Sequence, residues 1–135
     1  ISCEFNSDDL RIMSFIDAQL VSQALTNLIK NSAESILRKH KNKKTGKGKI
    51  SVILEENKDQ INLIVCDNGE GIPNKIRPHL TDPYFTTHPT GTGLGLAIVE
   101  RVIDAHEGYM TFGSGKKGET QVILTMPIKH NVHKD

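Results

Sequence analysis

The spacing of apolar and polar residues predicts a chain of short strands and two helices. Apolar positions that recur every three or four residues indicate helices, and strict alternation indicates strands. Asp17 precedes the first helical stretch as an N-cap, and Gly108 marks the end of the second. The predicted elements are strands over residues 1–5 and 10–16, a helix from 17 to about 38, strands over 50–55 and 61–66, a short helical turn at 76–79, a helix over 94–106, and strands over 109–114 and 121–126.

Two pairs of consecutive strands flanked by helices favour the α+β class, because they lack the regular alternation of a parallel α/β fold. We expect a two-layer α/β sandwich in which helices cover one face of the sheet. A chain of 135 residues, of which 36% are apolar, is long enough for one domain. We place this domain at residues 1–128 and a flexible tail at residues 129–135.

Basic side chains are concentrated between residues 38 and 49, which contain seven of the 17 lysines and arginines and no acid. The simplest interpretation is a solvated, partly disordered connection between a helix and a strand. A docking or phosphate-steering patch is the functional alternative. Nucleic acid is not expected as a partner, because aromatic residues make up only 4% of the chain and none lies among these lysines.

The sequence contains neither a run of about 18 apolar residues nor a signal-peptide pattern. We therefore expect this part of the protein to be cytoplasmic, outside the membrane, with Cys3 and Cys66 reduced. An inner-membrane anchor elsewhere in a longer parent protein is left open.

Two glycine-rich motifs outline a candidate ATP site. Asp67–Pro73 puts a carboxylate at the end of an apolar strand, followed at once by Gly69 and Gly71, which allow the backbone to approach an adenine base. Gly91–Ala97 is a glycine-rich loop that leads into a helix, and the free N–H groups of a helix N-terminus favour phosphate.

The first helix carries Asn27 and Asn31 one turn apart, beside a predicted core stripe. The two amides could simply hydrogen-bond to each other or to local backbone. Near a phosphate loop, a carboxamide oxygen also suits Mg²⁺. The predicted core stripe consists of Val21, Leu25, Leu28, Ile29 and Ile36.

The order of these motifs resembles the catalytic, ATP-binding domain of bacterial sensor histidine kinases, whose fold is shared with DNA gyrase B, MutL and the ninety-kilodalton heat-shock chaperones. Residues 27–32 match the family's N box, 67–71 its G1 box, 83–87 its F box and 91–95 its G2 box. The segment 80–87 is most similar to the nitrogen-regulation branch, of the NtrY type. The resemblance implies a Bergerat-type sandwich with a mixed, mostly antiparallel sheet.

The resemblance also implies a role for each matching residue. Asn31 would be the Mg²⁺ ligand and would act with Asn27 in catalysis, Asp67 would bind the adenine amino group, and Thr120 would support Asp67. Residues 72–92 would form the ATP lid. The implied nucleotide-binding residues are Asn31, Asp67, Gly69, Gly71, Ile72, Thr86, Thr87, His88, Thr92, Gly93, Leu94, Gly95, Leu96 and Thr120.

Three positions depart from the family pattern. Ser32 stands where most relatives have alanine, which we expect to be harmless because both are small. His88 replaces a lysine and is expected to contact the γ-phosphate more weakly. Glu34 stands where many sensor kinases have a lysine near the phosphates.

Asn27 distinguishes the enzyme classes that share this fold. The hydrolytic relatives and the protein-serine kinases have a glutamate there as general base, and an amide cannot accept a proton at neutral pH. We therefore expect transfer of the γ-phosphoryl group of Mg·ATP to a histidine on separate dimerisation helices, with a response regulator downstream. The alternatives are a nucleotide-binding module without catalysis and a gyrase-type ATPase.

Overall fold

A computed structural model describes residues 2–7, 17–42, 46–57, 59–72, 75–80, 95–115 and 118–128. Its elements follow the predicted order. They are β1 (Ser2–Ser7), α1 (Ala18–Asn42), β2 (Lys49–Glu56), β3 (Gln60–Asp67), a 3₁₀ turn (Arg77–His79), α2 (Gly95–Ala105), β4 (Tyr109–Ser114) and β5 (Thr120–Pro127). The predicted strand over 10–16 and the tail after residue 128 lie outside the described residues.

The strands form one five-stranded sheet in the order β1-β2-β3-β5-β4. Strand β1 runs parallel to β2, and the remaining neighbours are antiparallel. Both predicted hairpins are present, because each joins strands that are adjacent in sequence and in the sheet. The prediction of an α+β sandwich with a mixed, mostly antiparallel sheet is confirmed.

The two helices contact each other and share one hydrophobic core with the sheet. In the sheet, Val52, Val65 and Val122 are neighbours across three strands and form part of this core. Because side chains alternate between faces, the next row on the same face, two residues further along each strand, is Ile50, Asp67 and Thr120. The candidate carboxylate therefore lies at the end of the core, on the helix side of the sheet.

Helix α1 begins as predicted but ends later. The Asp17 carboxylate accepts hydrogen bonds from the backbone N–H groups of Gln19 and Leu20, both at 3.1 Å, as an N-cap does. The helix continues to Asn42 rather than stopping near Arg38, so the first part of the basic segment is helical and not a loop. Basic side chains in a last helical turn interact favourably with the helix dipole.

The buried face of α1 differs from the predicted stripe. Leu28 and Ile36 are fully buried, and Ala24 and Ser32 join them although they were not placed in the core stripe. The other predicted positions are only partly buried and pack at the edge of the core; they are Val21, Leu25 and Ile29. A serine thus occupies a core position of this helix, where its hydroxyl requires a partner.

The junction between the helices is closed by His106, whose ring uses both nitrogens. Nδ1 donates to the carbonyl of Val102 at 2.8 Å, and Nε2 accepts from the backbone N–H of Asp17 at 3.0 Å. The end of α2 is therefore joined to the start of α1.

Gly108 provides a test of how closely α2 and β5 approach. A Cβ at this position would overlap the backbone carbonyl oxygen of Thr125, which belongs to a central strand and cannot move aside. We expect Gly108→Ala to lower the free energy of unfolding by roughly 1–3 kcal/mol. Denaturant unfolding measures this change.

Gly113→Ala is the matched control, because a Cβ there would meet only the Gln121 side chain at an ordinary 3.5 Å. It should be neutral or slightly stabilising. Equal effects of the two substitutions would contradict the close contact at Gly108.

Candidate functional site

The centre of the candidate site is the carboxylate of Asp67, the last residue of β3, which is only 6% exposed. Ser32 Oγ on α1 donates a hydrogen bond to Oδ2 at 2.9 Å. The backbone N–H of Gly69 donates to Oδ1, also at 2.9 Å. Each carboxylate oxygen therefore has a donor and keeps further lone pairs for a ligand.

Some features of the surroundings of Asp67 disfavour its negative charge, and others favour it. Burial raises the pKa of the Asp67 carboxyl above its ordinary value, and the hydrogen bonds from Gly69 and Ser32 limit that rise. Glu119 adds a smaller contribution in the direction of burial, and Arg38 a smaller one against it. Perturbed carboxyls of this kind are typical of functional sites.

The loop after Asp67 packs directly on α1. A Cβ at Gly69 would overlap both the side chain and the backbone of Ser35, so only glycine fits there. Gly71 has a φ of +79°, a conformation that glycine adopts without strain. A Cβ at Gly71 would point toward Thr120 Oγ1, at 4.0 Å. These contacts explain why both glycines follow Asp67.

Three further contacts attach this loop to α1. Ser35 Oγ accepts from the backbone N–H of Glu70 at 3.0 Å, and Arg38 Nε pairs with the Glu70 carboxylate at 2.8 Å. Lys39 Nζ donates to the carbonyl of Asn68 at 3.1 Å. Two residues of the basic segment thus bind the candidate adenine loop rather than forming a solvated connection.

The second half of the candidate site lies where α1 meets the start of α2. Gly95, the first residue of α2, lies against Asn31: a Cβ on it would be 3.5 Å from Oδ1 and 3.6 Å from Nδ2 of that amide. Asn27 Nδ2 is buried and has no hydrogen-bond partner in the described part of the chain. The arrangement brings the Asn31 amide beside a helix N-terminus, with Asn27 one helical turn away along α1, which is suited to phosphate and a hard cation.

Thr120 completes the site from β5. It is 8% exposed and is the direct neighbour of Asp67 across the β3–β5 pair. Its hydroxyl lies on the side from which Gly71 approaches. A hydrogen-bonding group is thus available next to the carboxylate.

The structure describes nine of the predicted site residues, which lie on α1, at the end of β3 and in the loop after it, at the start of α2 and at the start of β5. They are Asn27, Asn31, Asp67, Gly69, Gly71, Ile72, Gly95, Leu96 and Thr120. The other six lie outside the described residues, as do residues 83–87 of the F box and most of the predicted lid; they are Thr86, Thr87, His88, Thr92, Gly93 and Leu94.

Sequence reasoning missed the side chains of α1 that hold the loop. Ser32 was expected to be a harmless substitute for alanine, yet it bonds directly to Asp67. Ser35 and Arg38 follow it at three-residue steps, so the three share one face of the helix. The regular three-residue spacing of these polar side chains, which starts beside Asn31, is the feature of the sequence that indicates a polar contact along this face of the helix.

Within the described ranges, no group of three or more His, Cys, Asp or Glu side chains is placed to hold a metal ion. Among the same residues, no helix is long and apolar enough to cross a membrane.

Comparisons with known proteins agree with this geometry. Residues 16–130 match the family model described as "Histidine kinase-, DNA gyrase B-, and HSP90-like ATPase". The catalytic domain of the histidine kinase ThkA superposes with a TM-score of 0.78 at 27% identity, covering 93% of this chain and 79% of that one.

Among curated proteins, the chain is 40% identical over 102 residues to the nitrogen regulation protein NtrY of Azorhizobium caulinodans. It is 38% identical over 109 residues to an NtrY-like protein of Rickettsia typhi. The matches cover 76% and 81% of this chain but only 13% and 17% of those two proteins. With a family match over most of its length, the chain belongs to the histidine kinase-, DNA gyrase B- and HSP90-like ATPases and is an ATP-binding domain of the histidine kinase type.

Proposed function

We propose that this chain is the catalytic domain of a sensor histidine kinase, which binds Mg·ATP and transfers the γ-phosphoryl group to a histidine on dimerisation helices of its parent protein. The observation that carries the proposal is Asn27, a buried amide one helical turn from Asn31. A hydrolytic enzyme of this fold needs a general base there, and an amide cannot serve as one.

In this proposal Asp67 accepts a hydrogen bond from the 6-amino group of adenine. The ionised carboxylate only accepts hydrogen bonds, so it favours an amino group over the oxygen that guanine has at the same position. Thr120 supports the interaction from the neighbouring strand, and Gly71 allows the backbone to approach the base. The buried position strengthens the interaction because water competes less there.

Asn31 is proposed as the protein ligand of Mg²⁺, which would neutralise charge on the phosphates. A single amide oxygen fits a cation that keeps most of its waters and takes its other ligands from nucleotide. Gly95 and Leu96 begin the helix whose N-terminal N–H groups face the phosphates. The undescribed positions keep their predicted roles as phosphate-binding residues; they are Thr86, Thr87, His88, Thr92, Gly93 and Leu94.

Transfer to an imidazole requires mainly positioning and charge neutralisation. A ring nitrogen of the acceptor attacks phosphorus, the bond from the γ-phosphorus to the bridging oxygen breaks, ADP leaves, and the other ring nitrogen can release its proton. Asn27 would help to orient the reacting groups through its amide nitrogen, which is buried and has no hydrogen-bond partner among the described residues. No residue of the site has to remove a proton from water.

The similarity to NtrY supports a role in nitrogen regulation, with a response regulator as the next acceptor. A cytoplasmic position of this domain belongs to the same proposal. A cytoplasmic domain is compatible with a parent protein that another segment anchors in the inner membrane.

Asp67→Asn should weaken ATP binding strongly without unfolding the domain. The amide loses the negative charge that strengthens the bond to adenine, a change of roughly 1.5–3 kcal/mol, or about tenfold or more in affinity. Calorimetric titration with ATP measures it. Asp59→Asn, in an exposed turn, is the matched control and should bind normally.

The same variant should show a characteristic pH dependence of stability. Because burial raises the folded-state pKa of Asp67, its ionisation destabilises the fold above that pKa, and the cost disappears as the pH falls through it. The amide matches the donors from Ser32 and Gly69 less well than the carboxylate does, which lowers the stability of Asp67→Asn by an amount that does not depend on pH. The stability of the wild type relative to Asp67→Asn should therefore increase as the pH falls from 7.5. Unchanged ATP affinity, or a stability difference of the opposite slope, would refute this assignment.

Asn31→Ala should uncouple magnesium from nucleotide binding, because the cation loses its protein ligand while the adenine contact remains. ATP titrations with and without Mg²⁺ should then give similar affinities. Gln23→Ala removes an exposed amide from the same helix and should leave the magnesium enhancement intact. If the enhancement survives in Asn31→Ala, another residue holds the ion.

The isolated domain should release phosphate from ATP far more slowly than about 1 s⁻¹, because position 27 offers no base. Adding the dimerisation helices of the parent protein and γ-labelled ATP should produce a phosphoprotein that is stable to base and labile to acid. Sustained hydrolysis by the domain alone would move it to the hydrolytic class. ATP binding without any transfer would indicate a non-catalytic nucleotide module.

A further inference from the structure

Ser32 places a hydroxyl group on the core face of α1, on the same face as the buried residues Ala24, Leu28 and Ile36. It is only 5% exposed, and its Oγ lies 2.9 Å from Asp67 Oδ2. Serine is less favourable than alanine inside a helix, and an unpaired buried hydroxyl would cost more still. The bond to Asp67 is what offsets both costs at this position.

This bond also determines what Asp67 can do. With Ser32 donating to one oxygen and Gly69 N–H to the other, both oxygens are used as acceptors. A protonated carboxyl would have to turn one oxygen into a donor and would match this pair of donors poorly. These two donors therefore favour the ionised form and oppose the burial that raises the pKa of Asp67.

We propose that Ser32 is a positioning residue for nucleotide recognition, whose hydroxyl donates to the Asp67 carboxylate and keeps it ionised, so that adenine binding withstands mild acid. The proposal rests on the proposed function, because it assumes that Asp67 receives the adenine amine. The sequence analysis expected Ser32 to be a harmless replacement of alanine, whereas this proposal gives its hydroxyl a role in binding.

The other groups around Asp67 do not replace this contribution. Just before β5 lies Glu119, whose negative charge opposes ionisation of Asp67 and raises its pKa. From α1 comes Arg38, which lowers that pKa but is already paired with Glu70 at 2.8 Å. Lys39, also on α1, donates to a backbone carbonyl of the loop. Cys66, the preceding residue of β3, would repel the carboxylate only as a thiolate, and burial raises the pKa of that thiol.

The test compares Ser32→Ala with the wild type in two measurements across pH 5.5 to 8. In the first, unfolding without nucleotide, the penalty of Ser32→Ala should grow as the pH rises, because the lost bond matters only while Asp67 is charged. The penalty should largely vanish in an Asp67→Asn background, where no charge remains to support. Ser22→Ala, at an exposed site on the same helix, should show no such dependence.

The second measurement is the affinity for ATP, on which the effect of Ser32→Ala should have the opposite pH dependence. Near pH 8 Ser32→Ala should bind ATP almost as the wild type does, and at pH 5.5 it should lose about three- to tenfold more affinity, the size expected for one hydrogen bond to the charged form. The comparison between proteins cancels the titration of ATP itself. Ser32→Thr, which keeps the hydroxyl, should restore the wild-type pH profile of ATP affinity.

The outcomes separate the two proposals. A wild-type domain that does not bind ATP would overturn the proposed function and this inference with it. Normal ATP binding by the wild type, with a Ser32→Ala penalty that is independent of pH or persists in the Asp67→Asn background, would overturn the inference alone. If Ser32→Ala were unfolded even near pH 5.5, where the lost bond should matter least, its penalty would not follow the charge of Asp67 and the inference would also fall.

Discussion

A carboxylate buried beneath a helix is the constraint around which the rest of this domain is arranged. Asp67 extends the core-facing row of β3 by one position, so the same alternation that buries Val65 also buries a charge. A buried charge is tolerated only when hydrogen bonds compensate for the water it has lost. The donors come from α1 and from the loop after β3, so the position of both relative to the sheet is fixed by one side chain.

Helix α1 connects the two halves of the site because its faces serve different parts of it. Ser32 and Ser35 reach the loop that would surround the base, whereas the preceding residue, Asn31, faces the start of α2. Neighbouring residues on a helix point about 100° apart and rise only 1.5 Å. A single rigid helix thus sets the distance between the adenine side and the phosphate side of the site. No flexible loop lies between these two positions of α1, so the distance between them does not adjust.

Much of the fold could be predicted because its determinants are local. The N-cap at Asp17, the two hairpins and the position of Asp67 follow from spacing within a few residues. The role of Ser32 could not, since its partner lies 35 positions away and only the packing of α1 on β3 brings them together. The extension of α1 into the basic segment was missed for a similar reason: Arg38 and Lys39 find their partners in the loop after β3, far along the chain.

The contact between Gly69 and Ser35 also restricts how this sequence can evolve. A side chain at position 69 would strike the backbone of α1 as well as the serine, so no replacement of Ser35 alone could make room for it. Arg38 and Glu70, by contrast, are both partly exposed, and their side chains can be exchanged without a change in the backbone. Room for a side chain at position 69 would require α1 itself to move away from the loop after β3, so the glycine and the distance between helix and sheet depend on each other.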